Sequence, residues 1–307
     1  MGIVLIFNDR PAEPWKNELL KVDSKLKIDI WPEIEDSSSY TTAVVWKHPK
    51  GLLNQFPNLK LIHSLGAGVD HILSDPDLPP ASICRVVDEK LAADMSNYII
   101  AGIINYQRKL RQIWHNQQLK RWEKVLPLAH PLKIGILGLG VLGQDVARKL
   151  LLLGYEVYGY SQSPKELEGI NTFTGEKGLE DMLMQVNVLV CLLPLTSKTK
   201  NFLNHSIFAK LQKGSYLINV ARGEHLVEED LIQALKNEQL GGALLDVFHE
   251  EPLPSNHPFW ELSNVTITPH IASITNPASA ARQVVENHKR ILSGQALIHQ
   301  IDNDKEY

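Results

Sequence analysis

Short apolar runs alternate with longer amphipathic stretches along most of the chain, the pattern of a parallel α/β architecture. In the first part, residues 3–7, 43–46, 61–64 and 85–87 read as strands. A more polar stretch follows from Met95 to about Lys124, in which Ile99, Ile103, Ile104 and Leu110 recur at helical spacing. Residues 108–126 are rich in Lys, Arg, Gln and Trp, which predicts an exposed arm or an interface. A second series begins at Leu132, with six strand candidates at 133–137, 156–160, 188–193, 216–219, 242–246 and 265–268. Helical patterns at 141–153, 205–210 and 227–237 lie between them. Six strands with intervening helices match a complete dinucleotide-binding fold. A last helix at about 277–293 follows Pro269 and is expected to cross back to the first unit.

Composition narrows the class. The 307 residues are about two domains' worth, and 44% apolar with 21% charged residues excludes a disordered or fibrous chain. Lys plus Arg number 31 against 35 Asp plus Glu, a net charge of −4, and no basic run offsets that sign. Nucleic acid is therefore not an expected partner. The two cysteines, Cys84 and Cys191, fit buried thiols in a reducing compartment, and no metal site is expected. The start, MGIVLIFNDR, lacks the basic region and apolar length of a signal peptide, and Ile6 breaks the myristoylation pattern. No apolar stretch approaches the ~18 residues of a membrane span. The expected location is cytoplasmic.

Candidate chemistry begins at Gly138-Leu139-Gly140-Val141-Leu142-Gly143, a G-x-G-x-x-G motif between an apolar strand and an amphipathic helix. That context gives the motif its meaning. Gly138 allows the tight turn, Gly140 lets a pyrophosphate approach, and Gly143 lets the helix pack on the strand. The amides of Val141 and Leu142 at the helix N-terminus face the phosphates with the positive end of the helix dipole. The end of the second strand bears on NAD against NADP. In Tyr158-Gly159-Tyr160-Ser161-Gln162-Ser163-Pro164-Lys165 no acid stands where a ribose diol would be held. Hydroxyls at Ser161 and Ser163 with a cation at Lys165 suit a 2′-phosphate, so NADPH is preferred and NADH remains possible. Ordinary turn residues would read the same way.

Three polar residues follow predicted strands of the second series: Arg222, Glu251 and His270. Strand C-termini of an open α/β sheet converge on the ligand crevice, so the three can meet there. Hydride transfer to a carbonyl needs a cation to polarise the acceptor, an acid to protonate the alkoxide, and a carboxylate to orient that acid.

The chain resembles the D-isomer-specific 2-hydroxyacid dehydrogenases over nearly its whole length. The resemblance is carried by GLGVLG (138–143), NVARGEHLVEEDL (219–231), GGALLDVFHEEPLP (241–254) and TPHIAS (268–273). Within that family it is most similar to the short bacterial glyoxylate/hydroxypyruvate reductases of the A type, through LGAGVDHIL (65–73) and the VVWKHP segment around Trp46. The resemblance implies Arg222 as the residue gripping the substrate carboxylate and carbonyl, His270 as acid/base, and Glu251 as its partner. It places Pro194, Ala221 and Asp246 with the cofactor residues, Asp246 near the nicotinamide carboxamide. Backbone amides of Gly66, Ala67 and Gly68 would bind the substrate carboxylate, beside a pocket kept small by Trp46. Gln162 stands where NADPH-using relatives often carry Arg, which weakens the expected cofactor discrimination.

The implied architecture is two Rossmann-like doubly wound α/β domains. A cofactor domain, 97–274, is inserted into a flavodoxin-like substrate domain built from 1–96 and 275–307, with the active site in the cleft. A homodimer is expected, with the arm around Trp114 and Trp122 as its interface. Two other functions fit the same residues: a D-2-hydroxyacid dehydrogenase of the D-lactate type, and a nucleotide-sensing, corepressor-like binding protein.

Overall fold

A computed structural model describes residues 1–302 and 307. The chain divides into two compact units, Met1–Leu91 with Ile274–Tyr307, and Ala92–Ser273.

The first unit contains β1 (Gly2–Phe7), α1 (Glu13–Val22), β2 (Ile28–Ile30), β3 (Tyr40–Trp46), β4 (Leu61–Ser64), α2 (Asp70–Leu73) and β5 (Ser82–Cys84). Its sheet is wholly parallel, in the order β2-β1-β3-β4-β5, the flavodoxin-like order. Parallel strands are covered on both faces, which is why β3 is buried along its whole length, Thr41 and Thr42 included, and β1 at every position but its last. Alternate residues serve opposite cores: Ile3, Leu5, Val44 and Trp46 pack with Trp15, Leu19 and Val284, whereas Val4, Ile6, Ala43 and Val45 pack with Leu53, Phe56 and Ile62. Two expectations change here. The strand expected at 85–87 lies three residues earlier, because the ladder with β4 runs from Leu61–Ser82 to His63–Cys84 and the chain then leaves it. Strand β2 has only three residues and was not evident from the apolar pattern.

The second unit begins inside the long helix α3 (Glu89–Arg108) and continues with α4 (Leu110–Gln118), β6 (Lys133–Leu137), α5 (Val141–Leu152), β7 (Glu156–Tyr160), β8 (Asn171–Phe173), α6 (Gly175–Leu183) and β9 (Val188–Cys191). Then come α7 (His205–Lys210), β10 (Ser215–Asn219), α8 (Glu228–Lys236), β11 (Leu240–Leu245) and β12 (Val265–Ile267). The sheet order is β12-β11-β10-β9-β6-β7-β8, with every pair parallel. It contains the Rossmann order 3-2-1-4-5-6 with one strand added at the β11 edge. Seven strands stand where the apolar pattern predicts six; the extra one is β8, a short edge strand with no apolar run.

Again both faces are filled. Leu189, Leu217, Ala243 and Leu245 pack with Phe208, Leu231 and Phe259, and Val188, Val190, Ile218 and Leu244 pack with Ile99, Ile103 and Val146. Each such fully buried aliphatic side chain contributes about 2 kcal/mol of transfer free energy. The final helix, α9 (Pro277–Ser293), belongs to the first unit and buries Ala280, Ala281, Val284 and Val285 against α1 and the sheet. Asn276 caps its start by accepting from the Ala278 amide, and Gly294 ends it at φ +69°.

No helix among the described residues is long and apolar enough to cross a membrane. The arm beyond α3 carries a fully exposed Trp122 together with exposed Trp114, Leu119 and Leu126.

Candidate active site

In the second unit the motif glycines are placed by sterics. Gly138 adopts φ +100°, and a Cβ there would stand 2.7 Å from the Leu192 carbonyl oxygen. A Cβ on Gly143 would overlap the carbonyl oxygen of Gly138, so only glycine lets α5 lie this close to the β6 turn. Gly140 differs: nothing lies within 4 Å of the position a Cβ would take. It occupies the N-cap of α5, and no capping side chain takes the first-turn amides of Val141 and Leu142. Turn, close packing and uncapped amides fit a bound pyrophosphate.

At the end of β7, Ser161 is buried, and its hydroxyl donates to the Ser163 carbonyl at 2.7 Å. Its amide donates to the Phe173 carbonyl on β8. Thr174 and Thr172 donate to the carbonyls of Gln162 and Lys165. The short β8 thus shapes the 161–165 loop. It leaves Gln162 and Ser163 exposed with no acid among these five residues. With the Ser161 proton committed to the Ser163 carbonyl, Ser163 and Lys165 are the residues left to meet a 2′-phosphate, and no acid is present to hold a bare ribose diol.

The strand ends carry the candidate reacting groups. His270 follows β12, and its Nδ1 lies 2.9 Å from Oε2 and 3.2 Å from Oε1 of Glu251. Glu251 follows β11 and also accepts from the Phe248 amide at 3.2 Å. The pair is partly open, with side chains 31% and 24% exposed. With Nδ1 engaged by this carboxylate, Nε2 is the ring nitrogen that Glu251 does not meet.

Arg222 follows β10, two strands from β12 in the sheet order, in extended backbone at φ −143°. Its Nη1 donates to the Ala221 carbonyl at 2.7 Å. Asn219 donates to the Arg222 carbonyl at 2.9 Å, and fully buried His225 places Nδ1 3.2 Å from the same oxygen. The other ring nitrogen of His225 lies 3.2 Å from the carbonyl of Pro194, which also accepts from Thr199. Burial holds His225 below the usual histidine range. A neutral imidazole carries one N–H, so His225 donates to one of these two carbonyls, that of Arg222 or that of Pro194. The sequence gives no local sign of this, since the partners are 31 residues apart.

Asp246 follows β11 and is 1% exposed. Its carboxylate accepts from the Thr268 hydroxyl at 2.6 Å and from the amides of Ile271 and Ala272 at 2.9 and 2.8 Å. Its contacts are therefore with the loop that carries His270.

In the first unit, the Gly66 loop follows β4. Buried Ser64 donates to the Gly68 carbonyl at 2.7 Å and accepts from the Gly66 amide at 3.2 Å. Among the described residues no protein acceptor meets the amides of Ala67 and Gly68. A Cβ on Gly66 would stand 3.0 Å from Cζ3 of Trp46, so the loop lies against that indole. Trp46 also packs with His71 at 4.7 Å between ring centroids and carries the Arg10 guanidinium 4.5 Å above its ring. Arg10 had no place among the residues picked out from the sequence. Among the described residues, no group of His, Cys, Asp and Glu could hold a metal ion.

Residues 100–272 match the family described as D-isomer specific 2-hydroxyacid dehydrogenase, NAD binding domain. A glyoxylate/hydroxypyruvate reductase A of Yersinia enterocolitica is 40% identical, with 98% of each chain covered. A D-isomer specific 2-hydroxyacid dehydrogenase of Xanthobacter autotrophicus Py2, solved in complex with NADPH and MES, superposes with a TM-score of 0.95 at 36% identity, covering 100% of this chain and 99% of that one. An NADPH-dependent glyoxylate/hydroxypyruvate reductase of Sinorhizobium meliloti, in complex with NADP and sulfate, gives 0.93 at 34% identity, with 100% and 99% covered. This chain belongs to the D-isomer-specific 2-hydroxyacid dehydrogenases and is an NAD(P)-dependent oxidoreductase.

Proposed function

We propose that this protein reduces small 2-oxoacids, glyoxylate to glycolate and hydroxypyruvate to D-glycerate, with NADPH as preferred reductant and NADH as a weaker one. The observation that carries this reading is the His270–Glu251 pair, an oriented acid at a strand end of the sheet whose first strand opens into the glycine motif. The names of the Yersinia and Sinorhizobium relatives and the NADPH bound to the Xanthobacter structure support it.

The nicotinamide supplies the hydride when bound. Gly138, Gly140 and Gly143 with the amides of Val141 and Leu142 would hold the pyrophosphate of the cofactor, and Ser161, Gln162, Ser163 and Lys165 would meet its adenosine ribose end. Pro194, Ala221 and Asp246 would take the nicotinamide end. The Arg222 guanidinium grips the carboxylate and carbonyl of the oxoacid with its fork of donors. Open amides in the Gly66–Ala67–Gly68 turn take the carboxylate, and Trp46 limits the room beside it. His270 gives the proton that the developing alkoxide takes up, and Glu251 stabilises the positive charge of the ring beforehand. Two such chains associate as a homodimer through the arm bearing Trp114 and Trp122.

Steady-state rates over a panel of 2-oxoacids with each cofactor test the reading. Glyoxylate and hydroxypyruvate are expected to be the best substrates, and NADPH to exceed NADH. A panel on which no oxoacid drives NADPH oxidation overturns it. Light scattering is expected to give twice the chain mass, and a monomer would remove the dimer.

A further inference from the structure

The backbone at His270 is unusual. Its φ of +54° lies in the left-handed region, which non-glycine residues adopt only where surrounding contacts enforce it. Three successive amides show what enforces it. The His270 amide donates to the Asp246 carbonyl at 2.8 Å, and the Ile271 and Ala272 amides donate to the Asp246 carboxylate. The loop is a nest closed around a buried internal anion. Thr268 completes it with a hydroxyl donated to the same carboxylate oxygen that Ile271 meets.

A further group stands behind Thr268. Tyr98 of α3 places its hydroxyl 2.5 Å from Thr268 Oγ1, across 170 residues of sequence. Thr268 has one hydroxyl proton, and it is donated to Asp246 Oδ1. The contact with Tyr98 must then be donated by the phenol. Burial pushes the Tyr98 hydroxyl up to about 12, which keeps the donor protonated. The order is fixed: Tyr98 donates to Thr268, Thr268 to Asp246, and Asp246 gathers the amides of 270–272.

We propose that Tyr98 and Thr268 are positioning residues for His270, holding through Asp246 the left-handed loop that aims its imidazole at Glu251 and at the substrate. Neither touches the reacting atoms. Their effect falls on the alignment of the proton donor, where a displacement near 1 Å costs on the order of 10²-fold in rate. The proposal rests on the reductase reading.

The test uses the full-length chain with NADPH and glyoxylate, comparing wild type with Thr268→Val, Thr268→Ser and Tyr98→Phe. Thr268→Val is expected to lower kcat by about tenfold to a hundredfold, with the glyoxylate KM and the NADPH Kd nearly unchanged. Thr268→Ser, which keeps the hydroxyl, is expected to restore most of the rate. Tyr98→Phe should lose less than Thr268→Val but in the same parameter, kcat. Wild-type kcat in Thr268→Val, or a serine variant as damaged as the valine one, overturns the proposal. So does a loss carried by KM or by NADPH affinity. Should Thr268→Val fail to fold, Tyr98→Phe decides alone, because it deletes one oxygen, and unchanged kcat there is equally fatal. A failure of the reductase reading looks different: wild type itself then turns over no oxoacid.

Discussion

Replacing Glu251 by Gln removes one charge from the site and almost no volume. Gln still presents an oxygen to the Phe248 amide, 3.2 Å away, and an amide to the His270 ring, so the 248–252 turn keeps its hydrogen bonds. What is lost is the charge-assisted bond to Nδ1 at 2.9 Å and the stabilisation of an imidazolium about to give up its proton. A hydrogen bond to a charged group is worth about 1.5–3 kcal/mol net, which corresponds to about tenfold to 150-fold in rate. With the two side chains 31% and 24% exposed, solvent screens part of that, and the expected loss lies toward the lower end. The assay is steady-state NADPH oxidation by glyoxylate, with NADPH affinity measured separately by fluorescence titration. Glu251→Gln should lower kcat while leaving NADPH affinity intact. A variant within twofold of wild type in kcat, or one that loses cofactor affinity in equal measure, would show that Glu251 does not act through His270.

Arg222→Lys keeps the charge but not the two parallel donors, so 2-oxoacid kcat/KM is expected to fall strongly while NADPH affinity hardly moves; equal losses in both would mark Arg222 as structural. Ser161→Asp places a carboxylate where a 2′-phosphate would sit and is expected to invert a wild-type NADPH preference of roughly ten- to hundredfold in kcat/KM, about 1.4–2.8 kcal/mol; a wild type that uses NADH equally well refutes this account of the 161–165 loop. In the first unit, burial holds His63 down to about 4 from 6.5, with His299 adding to the effect. Its folded state refuses a proton that the unfolded chain accepts below about pH 6.5, so stability is full above that pH and falls as pH drops toward 4. Between pH 7.5 and 5 the His63 share of the loss is about 2 kcal/mol, read by urea unfolding, and His288, also held down to about 4 by burial, adds its own; His63→Gln should reduce the slope by the His63 share, and an equal pH slope in that variant would assign the effect elsewhere.

What the sequence revealed was what local pattern can carry. A G-x-G-x-x-G between an apolar run and an amphipathic helix announces itself because both flanks are contiguous, and the structure places Gly138 and Gly143 where only glycine fits. Arg222 and His270 were legible because each directly follows an apolar strand. Strands β2 and β8 were not, since three residues such as Ile28-Asp29-Ile30 or Asn171-Thr172-Phe173 bury too little to leave an apolar run. That omission had a consequence, because β8 shapes the 161–165 loop. The partners that hold the site were hidden for a different reason. Tyr98 and Thr268 meet across 170 residues, and each alone reads as an ordinary polar residue on a helix or at a strand end. The family resemblance places Asp246 near the nicotinamide, and it carries no sign that the carboxylate also gathers the His270 loop. Its burial and three donors could be seen only once strands β11 and β12 were side by side.

In the proposed reaction His270 delivers the proton that completes reduction of the oxoacid carbonyl. It is tested most directly by comparing NADPH oxidation by glyoxylate in wild type and His270→Ala across pH, with NADPH binding measured on both. The account predicts that wild-type kcat/KM falls as pH rises, because the reduction consumes a proton held on the ring. It also predicts that His270→Ala binds NADPH normally but loses on the order of 10²–10⁴-fold in rate together with that pH dependence. Near-wild-type turnover in His270→Ala, with the same pH profile, would contradict it.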